Sequence, residues 1–553
     1  MTFDFMKEGE RKSAVLLIAP ETGRLPGKMG PLARFISGKS GGLGEVIAAL
    51  CEGLTQRGVE CHLATLNLNR RFRQENGLSE EDWNRILYTV DPEHIHLVNS
   101  AVFDHLPDAY AGNAVLNAAE FQKTVVNQII PRICAKNGGR LIIHSHDWMA
   151  GGIITAYAKR QGLPVLHTLH NVHSGHIPLE RLFGVDTQKL SRDLYFSEEW
   201  GKCCIDSQAT AIKNANLVNS VGARFLEEIV TGHFTDRPII SPSVREEIKI
   251  KYEHGATRSI LNAPALSMYP ERCDHLVQKF GPEDNVIAAK RKNLVEFQRR
   301  TGLMVDPHAI LLYWPSRLDP AQKGIELLEA IAHRFVIEHG DAQIAIVGNG
   351  VGNDRIHEET CGRIAWSSGG RITYQRFDEA LSMLGFAAAS DVFGASLYEP
   401  CGQIDQVGNL FGATATNRDT GGYHDKIREL TLKDLGGGNG FLFRDYDPGG
   451  LWYGLHQAVQ FHRHAPGIRQ RQMKRIMKES RGKYDLGAMI ETYIDTYEGL
   501  SGGIPLRAVQ REIAPAAPKA DRSAVPKKTS SPRGVKRARP APLPWFMPPL
   551  GAH

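Results

Sequence analysis

Short runs of bulky apolar residues recur along this chain, and stretches with helical spacing separate them. Residues 14–19 read A-V-L-L-I-A, a composition typical of a strand buried in a parallel sheet. Behind them, Val46, Leu50 and Leu54 recur at the spacing of one helix face, and Gly58 ends the pattern. Alternation of this kind predicts a parallel sheet with helices on both faces, whose ligands lie at the carboxyl ends of the strands.

The alternation occurs in two separate series, so the predicted fold class is α/β, with two doubly wound, Rossmann-like domains that face each other across a cleft. The strand-like runs of the first series are 14–19, 141–144, 164–169 and 217–221, and those of the second are 309–314, 343–347, 371–374, 392–396 and 440–443. Helical patterns are predicted at 324–339, 451–461, 469–479 and 486–497.

A length of 553 residues agrees with two domains, because a single core rarely grows so large. The looser, proline-containing stretch from residue 255 to residue 303 marks the connection between them. The predicted divisions are an N-terminal extension (1–12), a first domain (13–270), a link (271–305), a second domain (306–482), a C-terminal helix (483–500) and a tail (501–553).

The tail differs from the rest of the chain in composition. Ten of the 29 prolines lie beyond residue 502, and ten Lys and Arg residues there face only Glu512 and Asp521. We therefore predict a disordered tail that carries the basic balance of the chain, whose formal net charge is +5. Contact with nucleic acid is not expected, because a solvated basic tail accounts for the charge.

The eight cysteines are scattered and form no C-x-x-C pair. This pattern favours reduced thiols in a cytoplasmic protein over a disulfide or zinc framework. No apolar run approaches the roughly 18 residues of a transmembrane helix, and the first twelve residues lack a signal core. We expect a soluble protein that is neither exported nor bound to a membrane.

The most informative stretch is E-P-C-G at residues 399–402, which follows the strand-like run 392–396 and is followed by T-G-G at 420–422. Glu399 thus lies between a strand and the start of a helix, beside backbone N–H groups that have no partner within that helix. Such N–H groups suit phosphate oxygens, and a carboxylate suits sugar hydroxyls. The combination indicates an enzyme that handles a nucleotide-linked sugar.

The first domain offers a second candidate, since K-S-G-G at residues 39–42 stands between the first strand and its helix. A lysine in a glycine-rich turn is typical of phosphate binding, and a tight turn with a solvated lysine is an equally good interpretation of this stretch alone. His146 and Asp147, and also His167 and His170, come at the ends of the next two strands. A metal site is the less favoured interpretation of these histidines, because no acid or cysteine stands at ligand spacing.

Five motifs occur in an order found in one family. They are K-S-G-G-L at residue 39, H-D-W at 146, T-L-H-N at 168, S-R-L with Q-K-G at 316 and 322, and E-P-C-G with T-G-G at 399 and 420. Together they resemble the motifs of the bacterial glycogen synthases and plant starch synthases, over roughly residues 15–497. That family consists of retaining glucosyltransferases of the GT-B fold that use ADP-glucose.

The resemblance implies roles for individual residues. Arg317 and Lys323 would hold the departing diphosphate, with Lys39 approaching from the first domain, and no metal ion or other cofactor would be required. Glu399 would orient the glucose, and His170 would lie beside the reacting carbon. The implied substrate contacts are Gly41, Gly42, Glu45, Asp147, Asn262, Phe377 (stacked on adenine), Cys401, Gly402, Thr420, Gly421 and Gly422.

The implied activity is transfer of glucose from ADP-glucose to the non-reducing 4-hydroxyl of an α-1,4-glucan, glycogen or a maltooligosaccharide, with retention of configuration. The first domain would hold the acceptor and the second the nucleotide sugar, and the last helix would cross back to the first domain.

This sequence departs from the family where Gln403, Ile404 and Asp405 replace Leu-Thr-Gln, which removes a hydroxyl and adds an acid near the expected phosphate. Two alternatives stay open: a GT-B enzyme with another donor or acceptor, or a glucan-binding regulatory protein with weak activity.

Overall fold

The computed structural model describes residues 13–235, 239–350, 355–430 and 436–507. The predicted N-terminal extension and all of the tail beyond residue 507 lie outside these ranges. The strands are β1 Ala14–Ile18, β2 Cys61–Leu66, β3 Ile95–Val98, β4 Leu141–His146, β5 Val165–Leu169, β6 His176–Pro178, β7 Phe196–Glu199, β8 Lys202–Asp206, β9 Leu217–Ser220, β10 Thr257–Ser259, β11 Ile310–Trp314, β12 Ala342–Val347, β13 Ile372–Gln375, β14 Asp391–Gly394, β15 Thr414–Arg418 and β16 Gly440–Phe443.

Helices connect most of the parallel strands. They are α1 Gly42–Gln56, α2 Asn69–Asn76, α3 Glu80–Thr89, α4 Ala114–Thr124, α5 Ile130–Asn137, α6 Ile153–Arg160, α7 Thr187–Leu190, α8 Ser207–Asn214, α9 Ala223–Val230, α10 Pro242–Glu253, α11 Val286–Thr301, α12 Ile325–Glu338, α13 Ile356–Ser367, α14 Glu379–Ala388, α15 Ile404–Leu410, α16 Gly421–Lys426, α17 Pro448–His462, α18 Pro466–Lys483 and α19 Leu486–Leu500.

Two parallel sheets organise the chain. The first has the order β10-β9-β5-β4-β1-β2-β3, and the second has the order β13-β12-β11-β14-β15-β16. Every neighbouring pair in both sheets is parallel. Both central strands, β1 and β11, are buried throughout, as their unbroken apolar sequences require. The predicted fold class, two Rossmann-like α/β units, is confirmed.

The strand orders place a topological switch point in each sheet. In the first sheet the chain leaves β1 toward β2 on one side and later returns to β4 on the other. In the second sheet β11 has β12 on one side and β14 on the other. Ligands of such sheets bind outside the carboxyl ends of the strands at these points. The segments after β1, β4, β11 and β14 are therefore expected to carry the ligand-binding and catalytic residues.

A small antiparallel sheet, β6-β8-β7, was not predicted from the sequence. It lies in the first half of the chain, between β5 and β9. Its outer strand β7 alternates exposed and half-buried residues, so it lacks the apolar run that marks the central strands.

The last helix, α19, packs on the first domain. Met489, Ile490, Tyr493 and Tyr497 belong to the same hydrophobic cluster as β1 and α1. The Tyr497 hydroxyl lies 2.8 Å from Nδ1 of His144. The chain thus ends its described part against the sheet with which it began.

The structure describes no helix that is long and apolar enough to cross a membrane. All eight cysteines are free thiols.

Replacement of Gly53 by valine tests the docking of α19. An ideal Cβ on Gly53 would lie 2.4 Å from Cγ1 of Ile490, so a side chain there must push α19 away from α1. We expect Gly53→Val to lower the free energy of unfolding by about 1–3 kcal/mol, the usual cost of overpacking, as measured by urea denaturation. Glu52→Ala, on the exposed face of α1, is the matched control and should change little. Equal stability of Gly53→Val and the control would contradict this packing.

Candidate active site

The residues predicted to carry the chemistry follow the strands at both switch points. Asp147 follows β4, Arg317 follows β11, and Glu399 follows β14. The glycine-rich loop that contains Lys39 precedes α1, the helix between β1 and β2. An ideal Cβ on Gly42 of this loop would lie 3.2 Å from Oε1 of Gln403, next to the E-P-C-G segment. The loop of Lys39 and the segment that follows E-P-C-G therefore lie next to each other.

Lys323 and Glu399 form an ion pair, with 2.5 Å between Nζ and Oε2. Both are largely buried, since their side chains are 15% and 7% exposed. Burial alone would raise the pKa of Glu399, but Lys323 and the hydroxyl of Ser396, which donates at 2.9 Å, hold that pKa below its ordinary value. The pair places an ionised acid and a cation side by side at the end of β14.

Arg317 is more accessible to solvent than Lys323. Its side chain is 53% exposed, and its guanidinium donates to Oε1 of Gln322 at 3.0 Å. Gly324, at φ +69°, ends the loop that carries Lys323, and an ideal Cβ there would lie 2.3 Å from the carbonyl oxygen of Ala395. The Q-K-G motif thus needs its glycine because that loop packs directly on the backbone after β14.

The Lys39 loop is held by a carboxylate that the sequence reasoning did not assign. The amides of Ser40 and Gly41 both donate to Glu21, which follows β1, the Gly41 bond measuring 2.8 Å. Burial raises the pKa of Glu21. Gly41 was expected to contact substrate. In the structure its amide donates a hydrogen bond to the buried carboxylate of Glu21. Lys39 itself pairs with Glu45 at 2.5 Å.

Glu21 also accepts a hydrogen bond from the hydroxyl of Tyr110 at 3.2 Å. The position of Glu21 could have been found by the argument applied to Glu399, because both are acids a few residues beyond a buried central strand. Tyr110 lies in a long connection between β3 and α4 and gave no such signal.

Asp147 fixes the segment that carries His170. One carboxylate oxygen of Asp147 accepts the amides of His170, at 2.7 Å, and of Asn171, at 3.1 Å. Asp147 has φ +53°, a region that non-glycine residues rarely adopt. Burial raises the pKa of Asp147 to about 7. A strained, buried acid at a strand end is typical of a functional site.

His170 lies against His146, with 3.0 Å between Nε2 and Nδ1. Burial, and after it repulsion from His167, lowers the pKa of His170 to about 3, so its ring is neutral at ordinary pH. His144 contacts Thr168 and Tyr497, and His167 contacts Ser145, each at 2.8 Å. The described residues contain no group of three or more His, Cys, Asp or Glu that could hold a metal ion.

The E-P-C-G and T-G-G segments pack backbone to backbone. An ideal Cβ on Gly421 would lie 2.0 Å from the carbonyl oxygen of Glu399, and one on Gly422 would lie 2.0 Å from that of Cys401. Gly402, at φ +68°, lies against the ring of Tyr423. These three glycines are therefore required by the close approach of the two segments.

Thr420 and Gly421, both expected to contact substrate, form hydrogen bonds to the first domain. The Thr420 hydroxyl and the Gly421 amide donate to the carboxylate of Glu228 on α9 at 3.1 Å. Burial raises the pKa of Glu228, which is 2% exposed. This contact joins the two domains beside the cleft, and the sequence reasoning missed it because Glu228 belongs to no motif.

The remaining predicted contacts differ in accessibility. Phe377 is 51% exposed in the loop after β13, where a planar ligand can reach it. Asn262 is buried, and its carbonyl oxygen accepts from Nε2 of Gln406 at 2.9 Å. Cys401 is buried, and burial raises the pKa of its thiol. Of these three residues, the structure presents only Phe377 openly.

Asp405 does not add a charge to the phosphate side of the site. It is fully buried and pairs with the equally buried Lys426, with 2.6 Å between Oδ1 and Nζ. Lys426 also donates to the carbonyl oxygen of Gly402. The expected acid near the phosphate is thus turned inward, because residue 405 lies on the buried face of α15.

Comparison with known proteins identifies the relatives of this chain. The family model for the starch synthase catalytic domain matches residues 30–238. The chain is 26% identical over 458 residues to the glycogen synthase of Clostridium botulinum (strain Eklund 17B / Type B), covering 77% of this chain and 89% of that protein. The resemblance to the glycogen and starch synthases is confirmed.

Two further relatives of the glycogen and starch synthase family extend the comparison. The glycogen synthase of Geobacillus thermodenitrificans is 24% identical over 503 residues, covering 84% of this chain and 95% of that protein. The solved catalytic domain of starch synthase IV from Arabidopsis thaliana, bound to ADP and acarbose, superimposes with a TM-score of 0.70 at 19% identity. That match covers 89% of this chain and all of that domain. It shows that the whole two-domain body has the GT-B fold of the synthases.

Substitution of Lys426 tests the buried pair. Lys426→Met leaves the carboxylate of Asp405 without its cation, so we expect the free energy of unfolding to fall by about 3–5 kcal/mol in guanidinium denaturation. The double variant Lys426→Met/Asp405→Asn removes both charges and should recover most of that loss. The control is Lys189→Met, which breaks the exposed pair with Asp186 and should cost less than about 1 kcal/mol. If Lys426→Met lowers the free energy of unfolding no more than Lys189→Met does, the buried ion pair of Lys426 and Asp405 is refuted.

Substitution of Asp147 tests its raised pKa. An unfolded aspartate titrates near pH ~4. The pKa of Asp147 in the folded protein is about 7. At a pH between these two pKa values, the Asp147 carboxyl is protonated in the folded protein and has lost its proton in the unfolded chain. This carboxyl therefore makes the wild type less stable as the pH rises through that window. Asp147→Asn, whose side-chain oxygen can still accept both amides, should gain stability relative to wild type between pH 5 and pH 8. A constant difference between the two proteins would contradict the shift.

Proposed function

We propose that this protein is a glycogen or starch synthase that transfers glucose from ADP-glucose to the non-reducing 4-hydroxyl of an α-1,4-glucan. The observation that carries the proposal is the meeting of two charged loops across the cleft. Gly42, in the loop of Lys39, lies against Gln403, which directly follows the E-P-C-G segment of Glu399. A cation from each domain can therefore reach one diphosphate, with an acid beside it for the sugar.

The basic residues would act on the leaving group. When the bond between the anomeric carbon and the phosphate oxygen breaks, negative charge grows on ADP, and cations that are already in place stabilise it. Lys323 is fixed by its pair with Glu399, and Arg317 by Gln322. Lys39 completes the set from the first domain. We infer that these side chains do the work that a metal ion does in other transferases, so that none is required.

Glu399 would hold the glucose through its hydroxyls. Its lowered pKa keeps it ionised, and its pair with Lys323 supports a position beside the junction of sugar and phosphate. Phe377, exposed beyond β13, would cover the adenine. These assignments give each part of the donor a separate contact in the second domain.

His170 would face the reacting carbon as a neutral group. Because its pKa is about 3, its ring carries no positive charge at neutral pH and can steady positive character on the sugar ring. We propose front-face attack, in which the acceptor oxygen bonds to the anomeric carbon as the phosphate oxygen departs. The acceptor hydroxyl proton passes to that departing oxygen, and the configuration is retained.

The acceptor would meet the carboxyl groups at the edge of the first sheet. Asp147 and Glu21 follow neighbouring strands, and Tyr110 bonds Glu21. Acids and a phenol in such a row suit the hydroxyls of a glucan end. This arrangement supports an acceptor site in the first domain and a donor site in the second.

Another donor sugar is the competing candidate. Its basis was the change at residues 403–405, and the inward position of Asp405 removes half of that argument. What remains is Ile404, which lacks the hydroxyl of the threonine that the family has there. Direct comparison of donors decides the matter.

Glucose incorporation into glycogen with ADP-, UDP- and GDP-glucose tests the proposal. We expect ADP-glucose to be used best, with release of ADP, and activity to persist in the presence of EDTA. Lys323→Ala should reduce kcat/KM by roughly 100-fold or more, and Glu399→Gln should reduce it severely at an unchanged overall fold. Lys189→Ala, a substitution of an exposed lysine on α7, is the control and should leave the activity unchanged.

Two outcomes would refute specific parts of the proposal. Normal turnover in Lys323→Ala or Glu399→Gln would remove the site assignment. Binding of glycogen without consumption of any donor would instead make the protein a glucan-binding relative without catalysis.

A further inference from the structure

The hairpin between β7 and β8 turns at a residue that local conformation disfavours. Glu199 pairs with Lys202, so the turn consists of Trp200 and Gly201 alone. Their φ values are +54° and +70°, as in a type I′ turn, whose favoured sequence is Asn-Gly. A bulky aromatic at such a φ costs about 1–3 kcal/mol.

No burial offsets the local cost of Trp200. Its side chain is 97% exposed, so it contributes nothing to a core. Consistent local choices are the rule in folded proteins, and violations concentrate at functional sites. An exposed indole at the tip of a hairpin is therefore a candidate for ligand contact.

A cavity of about 600 Å³ lies beside this tryptophan. Its volume is in the range of small-molecule sites, ~300–1,000 Å³. Its walls come from the start of α4, from the segment that leads into β6, and from the hairpin. The polar and aromatic residues of its lining include Asn113, Ser174, His176, Arg181, Trp200 and Lys202.

The cavity adjoins the acceptor side of the proposed active site. Its wall includes Gly175, and an ideal Cβ on Gly175 would lie 2.2 Å from the ring of Trp148, the residue after Asp147. The same segment begins at Asn171, whose amide is bound by Asp147. Residues 171–175 therefore connect the Asp147 contact to the wall of the cavity.

Two of the charged or titratable groups around the cavity already have acidic partners. Lys202 pairs with Glu180 at 2.6 Å, and His176 lies 3.6 Å from Glu199. Arg181 lines the cavity, and its planar guanidinium can donate to hydroxyls. Hexose units offer an apolar C–H face for an indole and a rim of hydroxyls for such donors.

We propose that Trp200 and this cavity form a glucan subsite, which holds glucose units of the acceptor beyond those at the reaction centre. The indole stacks on a sugar face, and Arg181 and Asn113 bind hydroxyls. The identity of the ligand as an α-1,4-glucan rests on the proposed function. The site would favour long acceptors over short ones without taking part in the chemistry.

Trp200→Asn tests the subsite without endangering the fold, because asparagine is the preferred residue at this turn position. Binding of glycogen and maltoheptaose to the full chain, measured without donor by affinity electrophoresis and calorimetry, should weaken roughly five- to tenfold. With ADP-glucose, KM for glycogen should rise by a similar factor. The kcat, the KM for ADP-glucose and the KM for maltose should not change. Trp200→Tyr should retain most of the affinity.

The matched control is Trp366→Ala, which removes a tryptophan that is 90% exposed on α13 of the second domain, and it should bind glycogen normally. Unchanged glycogen affinity in Trp200→Asn, or no affinity for glycogen and maltoheptaose in the wild type, would overturn the subsite. If the wild type transfers no glucose from any donor but Trp200→Asn still weakens glycogen binding, the proposed function fails and the subsite stands.

Discussion

The contact between Glu228 and the start of α16 is the constraint on which the geometry of the cleft depends. A buried carboxylate of the first domain is satisfied by the Thr420 hydroxyl and the Gly421 amide of the second. Beside it, an ideal Cβ on Gly222 would lie 2.2 Å from the carbonyl oxygen of Pro400, so the backbones touch there. Because a buried acid without donors is costly, this contact sets the separation between the two charged loops.

Within that frame, both halves of the site follow one rule. Acids stand just beyond central strands, and the backbone amides or cations of a neighbouring segment satisfy them. Glu21 binds the amides of the Lys39 loop, Asp147 binds those of the His170 segment, and Glu399 binds Lys323. The carboxylates thereby position neighbouring segments, in addition to the substrate contacts proposed for them.

The sequence allowed prediction of the central strands, the fold class and the charged residues, because continuous apolar runs and glycine-rich motifs are local signals. The sequence did not predict β2, because His62 interrupts its apolar run. In the structure His62 is buried, and its Nδ1 lies 3.2 Å from Nε2 of His96. Asp405 was misplaced because its partner Lys426 is 21 residues away. Glu228 was missed for the same reason, since its partners lie in the other domain. Contacts between distant segments leave no periodic trace in a chain.

The pairing of Asp405 with Lys426 also bears on which substitutions this chain can accept beneath its E-P-C-G loop. Either charge alone would be a buried ion without a partner, so replacing one residue costs more stability than replacing both together. The two positions are therefore coupled, and a substitution at one is best tolerated when the other changes with it.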